Sequence, residues 1–156
     1  TWLVPFRAGE PMTKCATAGR IHVLALTVLL AACATPQSRA PLYDQFGKLE
    51  GLNAVVDGLV ERIHANAQSA PLFANTDMAR FRQLLVEYLC MTIGGPCTYT
   101  GEELVEVHTG MQITEAEFNS LVEDLIDVMQ ERNIPRAAQN ELLARLAPTR
   151  KDIIYQ

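Results

Sequence analysis

The stretch "YLCMTIGGPCTYTGEELVEVHTGMQIT", Tyr88 to Thr114, sets two cysteines around a Gly94-Gly95-Pro96 turn and then places one histidine, His108, inside an apolar helical pattern. Three chemistries compete for it: a zinc site, a redox pair, or a histidine holding something larger. Zinc fits poorly. The spacing Cys90-x6-Cys97-x10-His108 matches no usual ligand set, a fourth ligand is missing, and His64 would have to come from another helix. Gly94-Gly95 is followed by Pro96 and not by Lys-Ser/Thr, so the turn is no phosphate loop. No nucleophile elbow for a hydrolase is present either. A histidine on an apolar helical face is often only a core residue. Here its helix is short, lies between two loops, and has an apolar stripe that a simple four-helix bundle does not need.

Working outward, Leu52, Val55, Val56, Leu59, Val60 and Ile63 fall on one face of a helix. A second helix is expected from about Thr76 or Asp77, with Phe81, Leu84, Leu85, Tyr88 and Leu89 on one face, stopped by Gly94-Gly95-Pro96. Leu104, Val107, His108 and Met111 form a short stripe. Thr114-x-x-Glu117 is a capping box that opens a long helix through Met129. Pro135 suits the first turn of a last helix carrying Leu142, Leu143 and Leu146, with a kink expected near Pro148. No segment alternates as a strand would, so the expected class is all-α.

The N-terminal part reads differently. Lys14 and Arg20 precede an apolar run from Val23 to Ala32, which marks 12–32 as a secretory signal too short for a comfortable membrane span. It ends in Leu30-Ala31-Ala32-Cys33, which resembles a bacterial lipobox with Cys33 as the lipidated residue. Residues 1–11 read as an upstream extension, 33–42 as a lipid-anchored linker, and 43–156 as the folded domain. The expected location is the bacterial cell envelope, anchored by lipid to the membrane and facing the periplasm. A hydrophobic fraction of 49% with 20% charged residues is globular. The net charge of −5 offers no footprint for nucleic acid.

The segments "LYDQFGKLEGLNAVVDGLVERI", "PLFANTDMARF", "IGGPCTYTGEELVEVHTGMQITEAEF" and "LAPTRKDII" resemble the group I truncated haemoglobins, the short two-over-two globins. The Gly-Gly-x-x-x-Tyr-Thr-Gly run followed by His108 and Gly-x-x-Ile-Thr is the specific signal. The resemblance spans Leu42 to Ile154. It implies a two-over-two helical sandwich around haem b, with His108 as the proximal iron ligand. It implies that Leu104, Val107, Met111 and Ile113 contact the haem. Phe73 would pack on the ring, Thr76 and Met78 would stand near its edge, and Phe81, Leu85 and Tyr88 would line the distal side. Arg80 and Arg82 are candidates for the propionates.

Departures from the family pattern shape the expected chemistry. Val60 stands where the family usually has a tyrosine aimed at bound ligand. Leu85 stands where glutamine is frequent and Leu84 where a cation is. Gly47-Lys48 replaces the first Gly-Gly. The distal pocket of Val60, Phe81 and Leu85 is therefore apolar, and the expected partners are haem and a diatomic gas (O₂, NO or CO). Two alternatives stay open: a haem-dependent NO dioxygenase or peroxidase-like enzyme, and a haem-free helical lipoprotein that binds another partner. The sequence names no redox partner. The export signal places Cys90 and Cys97 in an oxidising compartment, where a disulfide between them is expected and two free thiols are the alternative.

Overall fold

The computed structural model describes residues 40–156. The extension 1–11, the signal segment 12–32, Cys33 and the linker up to residue 39 lie outside the described residues. The fold begins earlier than 43, because Leu42 starts a helix and is buried.

Helix α1 (Leu42–Gln45) leads into α2 (Lys48–Ala65) through two consecutive left-handed residues, Gly47 and Lys48. This is where the Gly-Lys pair replaces Gly-Gly, and Lys48 adopts the positive φ of 59° all the same. A 3₁₀ turn (Ala70–Phe73) precedes α3 (Met78–Thr92), whose N-cap Asp77 accepts the Arg80 amide. Then come α4 (Leu104–His108), α5 (Glu115–Glu131) and α6 (Arg136–Leu146). A second 3₁₀ segment (Ala147–Asp152) follows directly on α6, at the Pro148 break.

Helix α2 packs on α3 and α5 packs on α6, while α2 also crosses α5 and α3 also crosses α6. This is a two-over-two helical sandwich. Gly58 lets α2 and α5 meet closely, since a Cβ there would lie 2.8 Å from Val128 Cγ1. The core behind the crossing holds Phe46, Leu52, Ile63, Leu89, Val128, Met129 and Leu142, all fully buried. Each such side chain contributes roughly 1.5–3 kcal/mol by burial.

Polar ties hold the helices in register. Arg82 on α3 forks onto Asp57 on α2 and reaches Asn53 at 3.1 Å. Arg62 on α2 bridges to Asp127 and Glu131 on α5 at 3.1 and 2.6 Å. The capping box at α5 is complete, with Thr114 and Glu117 bonded reciprocally.

Candidate functional site

Helix α4 is only five residues long, yet it fixes one ring. His108 Nδ1 lies 2.6 Å from the Leu104 carbonyl oxygen, one turn back. A carbonyl can only accept, so Nδ1 carries the proton. In a neutral imidazole Nε2 is then the free lone pair, which is the arrangement a metal-binding histidine requires. His108 is half-buried and lines a cleft of about 530 Å³ between α3, α4, α5 and the C-terminal segment.

Ten of the residues expected at the site line this cleft. Phe73, Thr76, Phe81, Leu85 and Tyr88 come from the 3₁₀ turn and α3 on one side. Leu104, Val107, His108, Met111 and Ile113 come from α4 and the loop after it on the other. Phe73 and Phe81 meet edge to face at 5.0 Å. Thr76 sits in the turn before α3 and not within the helix. Val107 and Met111 remain 40% and 39% exposed, which leaves apolar surface on the cleft wall of a kind that marks a binding site.

Three expected residues are elsewhere, and a fourth lines an adjoining cavity. Val60 does not line the cleft; it packs against the core cluster, and its neighbour Leu59 faces the cleft instead. A helical step turns a side chain by about 100°, so Leu59 in the middle of the apolar stripe and Val60 at its edge face different surroundings. Met78, the first residue of α3, likewise packs against the core cluster and not into the cleft. Arg82 is occupied with Asp57 and Asn53, which takes it away from the cleft. Arg80 lines an adjoining cavity of about 320 Å³ that shares Leu84 and Val107 with the main cleft. Arg150 lines the main cleft and pairs with Glu115 at 2.6 Å.

The structure adds residues that were not expected. Leu72, Leu121, Val122, Leu125, Leu143 and Leu146 complete the apolar wall, and periodicity alone could not tell them from core positions. Ser69 also lines the cleft, and nothing in the sequence marks it.

The corner between α3 and α4 is built as a frame. Cys90 and Cys97 are joined, with sulfurs 1.97 Å apart. Gly95 sits inside this corner, where a Cβ would lie 2.6 Å from both the Cys90 sulfur and the Tyr43 ring. Glu87 on α3 accepts from the Thr100 hydroxyl at 2.7 Å and its amide at 3.0 Å. These bonds, with Gln83, hold the Glu87 carboxyl below the usual carboxylate range. Tyr99 packs edge to face on Tyr88 and donates to the Glu102 carbonyl. Burial, and then the neighbouring Tyr99, Asp152 and Glu103, push the Tyr88 hydroxyl up.

Comparison with known proteins agrees with this geometry. The family model for the bacterial-like globins matches residues 41–155. A group 1 truncated hemoglobin of Mycolicibacterium paratuberculosis is 32% identical over 114 residues, covering 73% of this chain and 84% of the relative. One from Nostoc is 34% identical over 93 residues, covering 60% and 79%. The crystal structure of truncated hemoglobin from Tetrahymena pyriformis in its Fe(III) form superposes with a TM-score of 0.71 at 28% identity, covering 74% of this chain and 98% of that one. The chain belongs to the bacterial-like globin family and, within it, to the group 1 truncated haemoglobins.

Proposed function

We propose that this chain binds haem b in the cleft through His108 and takes a diatomic gas on the side lined by α3. One observation carries the reading: His108 Nδ1 is committed to the Leu104 carbonyl, so Nε2 is free at the wall of an apolar cleft. The residues present fit the group. The volume of about 530 Å³ is within the range of cofactor sites, roughly 300–1,000 Å³. Phe73 and Phe81 offer flat apolar surface, and Leu104, Val107 and Met111 surround the histidine. Arg80 at the adjoining cavity and Arg150 at the cleft are the cations placed to pair with haem carboxylates.

Haem iron would supply the open coordination position at which a gas binds. The chain's own contribution is to hold the imidazole in one tautomer, exclude water with leucine and phenylalanine, and leave the distal helix without a side-chain donor at Phe81, Leu84 and Leu85. Such a cleft favours gas binding with little stabilisation of a polar ligand.

The location proposed is the cell envelope, by lipidation of Cys33 after removal of residues 12–32. The Cys90–Cys97 disulfide supports an oxidising compartment. No helix among the described residues is long and apolar enough to cross a membrane.

Ferric, ferrous and CO-bound spectra of the purified protein test the haem reading. His108→Ala is expected to lose most haem or bind it heterogeneously, and haem should raise the melting temperature of the wild type by mass action. Full, spectrally unchanged haem in His108→Ala overturns it. Radiolabelled fatty acid incorporated by wild type and not by Cys33→Ser tests the anchor.

A further inference from the structure

Cys90 and Cys97 stand in different surroundings. Cys90, near the end of α3, is wholly buried and belongs to the core cluster. Cys97 is half-buried, between exposed Pro96 and Thr98. Their bond therefore ties the core to the loop 93–103, none of which is helical.

That loop sets the position of the histidine. It ends at Glu103, the N-cap of α4, which makes no side-chain capping bond. Helix α4 packs on the C-terminal 3₁₀ segment, Ala147–Asp152. Tyr99 in the loop, with Leu104, Val107 and His108 in α4, lines the cleft. Glu87 and the Tyr88 ring also tie the loop to α3, through Thr100 and Tyr99, but without a covalent bond. A free Cys90 thiol would suit the core, because a buried thiol packs as a small apolar group. Breaking the disulfide thus leaves the core filled and frees the loop.

We propose that Cys97 is a thiol-exchange site and that the Cys90–Cys97 pair is a redox latch on the α4 wall of the cleft. A thiolate of a dithiol reductant attacks the half-buried Cys97 sulfur. The Cys90–Cys97 bond breaks, and Cys90 leaves as a thiolate and takes up a proton. The second thiol of the reductant then displaces Cys97, which is protonated in turn, and the reductant departs as its own disulfide. Two electrons and two protons pass from the dithiol to the cysteine pair. In the reduced chain the loop keeps only its non-covalent ties to α3, and α4 opens more often. The latch does not depend on what the cleft holds. Its consequence for haem, faster release from the reduced chain, rests on the reading of His108 given above.

Two measurements on the unloaded full chain decide it. Dithiothreitol should reduce the folded protein at a rate proportional to thiol and flat in urea below the unfolding transition. A rate that rises with urea as global unfolding does makes the bond a buried staple and overturns the exchange site. Hydrogen exchange of the amides in 98–110 should quicken by roughly tenfold or more on reduction, because closure restrains an open loop as it restrains an unfolded chain. That exchange should depend little on urea, which marks local opening. Equal exchange in the oxidised and reduced chains overturns the latch. Cys90→Ala with Cys97→Ala should behave as the reduced chain and no longer respond to dithiothreitol; should that variant not fold, reduction of wild type still decides. In the haem-loaded protein, transfer to apoglobin should be roughly tenfold faster from the double variant than from wild type, a comparison that needs no reductant near the iron. Should haem fail to bind at all, the reading of His108 fails while both measurements on the unloaded chain still judge the latch.

Discussion

The Gln156 carbonyl oxygen accepts the Gln112 amide at 3.1 Å and the Gln112 side-chain nitrogen at 2.7 Å, across 44 residues of chain. The same carbonyl accepts the Gly110 amide, and Tyr155 donates its amide to Ile113. Gln112 adopts a positive φ that a residue with a side chain rarely takes, while Gly110 takes one readily, and these bonds hold the loop after His108 in that bend. Deleting residues 155–156 is therefore expected to speed haem loss by on the order of tenfold, the equivalent of about one or two exposed hydrogen bonds. Transfer of haem to an excess of apoglobin measures it. An unchanged rate would show that His108 is held by α4 alone.

The Cys90–Cys97 bond closes a short loop, with a sequence separation of seven. In the chain-entropy account such a closure stabilises by about 2–3 kcal/mol. Reduction, or Cys90→Ala with Cys97→Ala, should lower the urea midpoint accordingly with the slope little changed. Gly95→Ala should be costly for a different reason, because its Cβ meets the Cys90 sulfur and the Tyr43 ring. An alanine tolerated there in the oxidised protein would mean the corner relaxes more easily than the contacts indicate.

Glu87 ties α3 to the loop that leads into α4, and its carboxyl lies below its ordinary value of 4.5 chiefly through the Thr100 hydroxyl. A lowered pKa in the folded state gives stability that is present above the ordinary value and is lost as pH falls through the folded one. Glu87→Gln should thus melt below the wild type at neutral pH, and the gap should close on acidification through and below that ordinary value. Melting curves across that range check it; a gap independent of pH would assign the loss to packing and not to charge. Glu87 is solvent-accessible, so the effect should be modest.

Long-period features were legible in the sequence, and edge positions were not. The apolar stripe from Leu52 to Ile63 became α2, and Thr114 with Glu117 capped α5. His108 stood out because its helix was too short and too apolar to be plain scaffold. Val60 was not decidable, since it lies at the margin of the stripe whose middle holds Leu59, and only the packing of α2 on its neighbours determines which side chains reach the cleft. Arg82 could not be separated from Arg80 without knowing that Asp57 comes alongside. The Gln112–Gln156 bonds are pairings between distant backbone groups, which side-chain patterns do not encode.

The distal side gives the last prediction. Phe81, Leu84 and Leu85 on α3, and Leu59 on α2, face the cleft with no hydrogen-bond donor among them. Tyr88 also lines it, but its hydroxyl feels Asp152 and Glu103, and its ring packs on Tyr99. O₂ draws negative charge when it binds ferrous haem and gains from a donor, whereas CO gains much less. A missing donor of this kind forfeits about 1–3 kcal/mol, or roughly tenfold to a hundredfold in dissociation rate. Wild type should therefore release O₂ rapidly while holding CO well. Leu85→Gln places an amide on the wall that Leu85 now lines, and it should slow O₂ release by that factor while changing CO release little. Stopped-flow displacement of O₂ by CO provides both rates. Slow release by wild type that quickens in Tyr88→Phe would locate a donor at Tyr88. Slow release unmoved by that change would leave the apolar pocket without support.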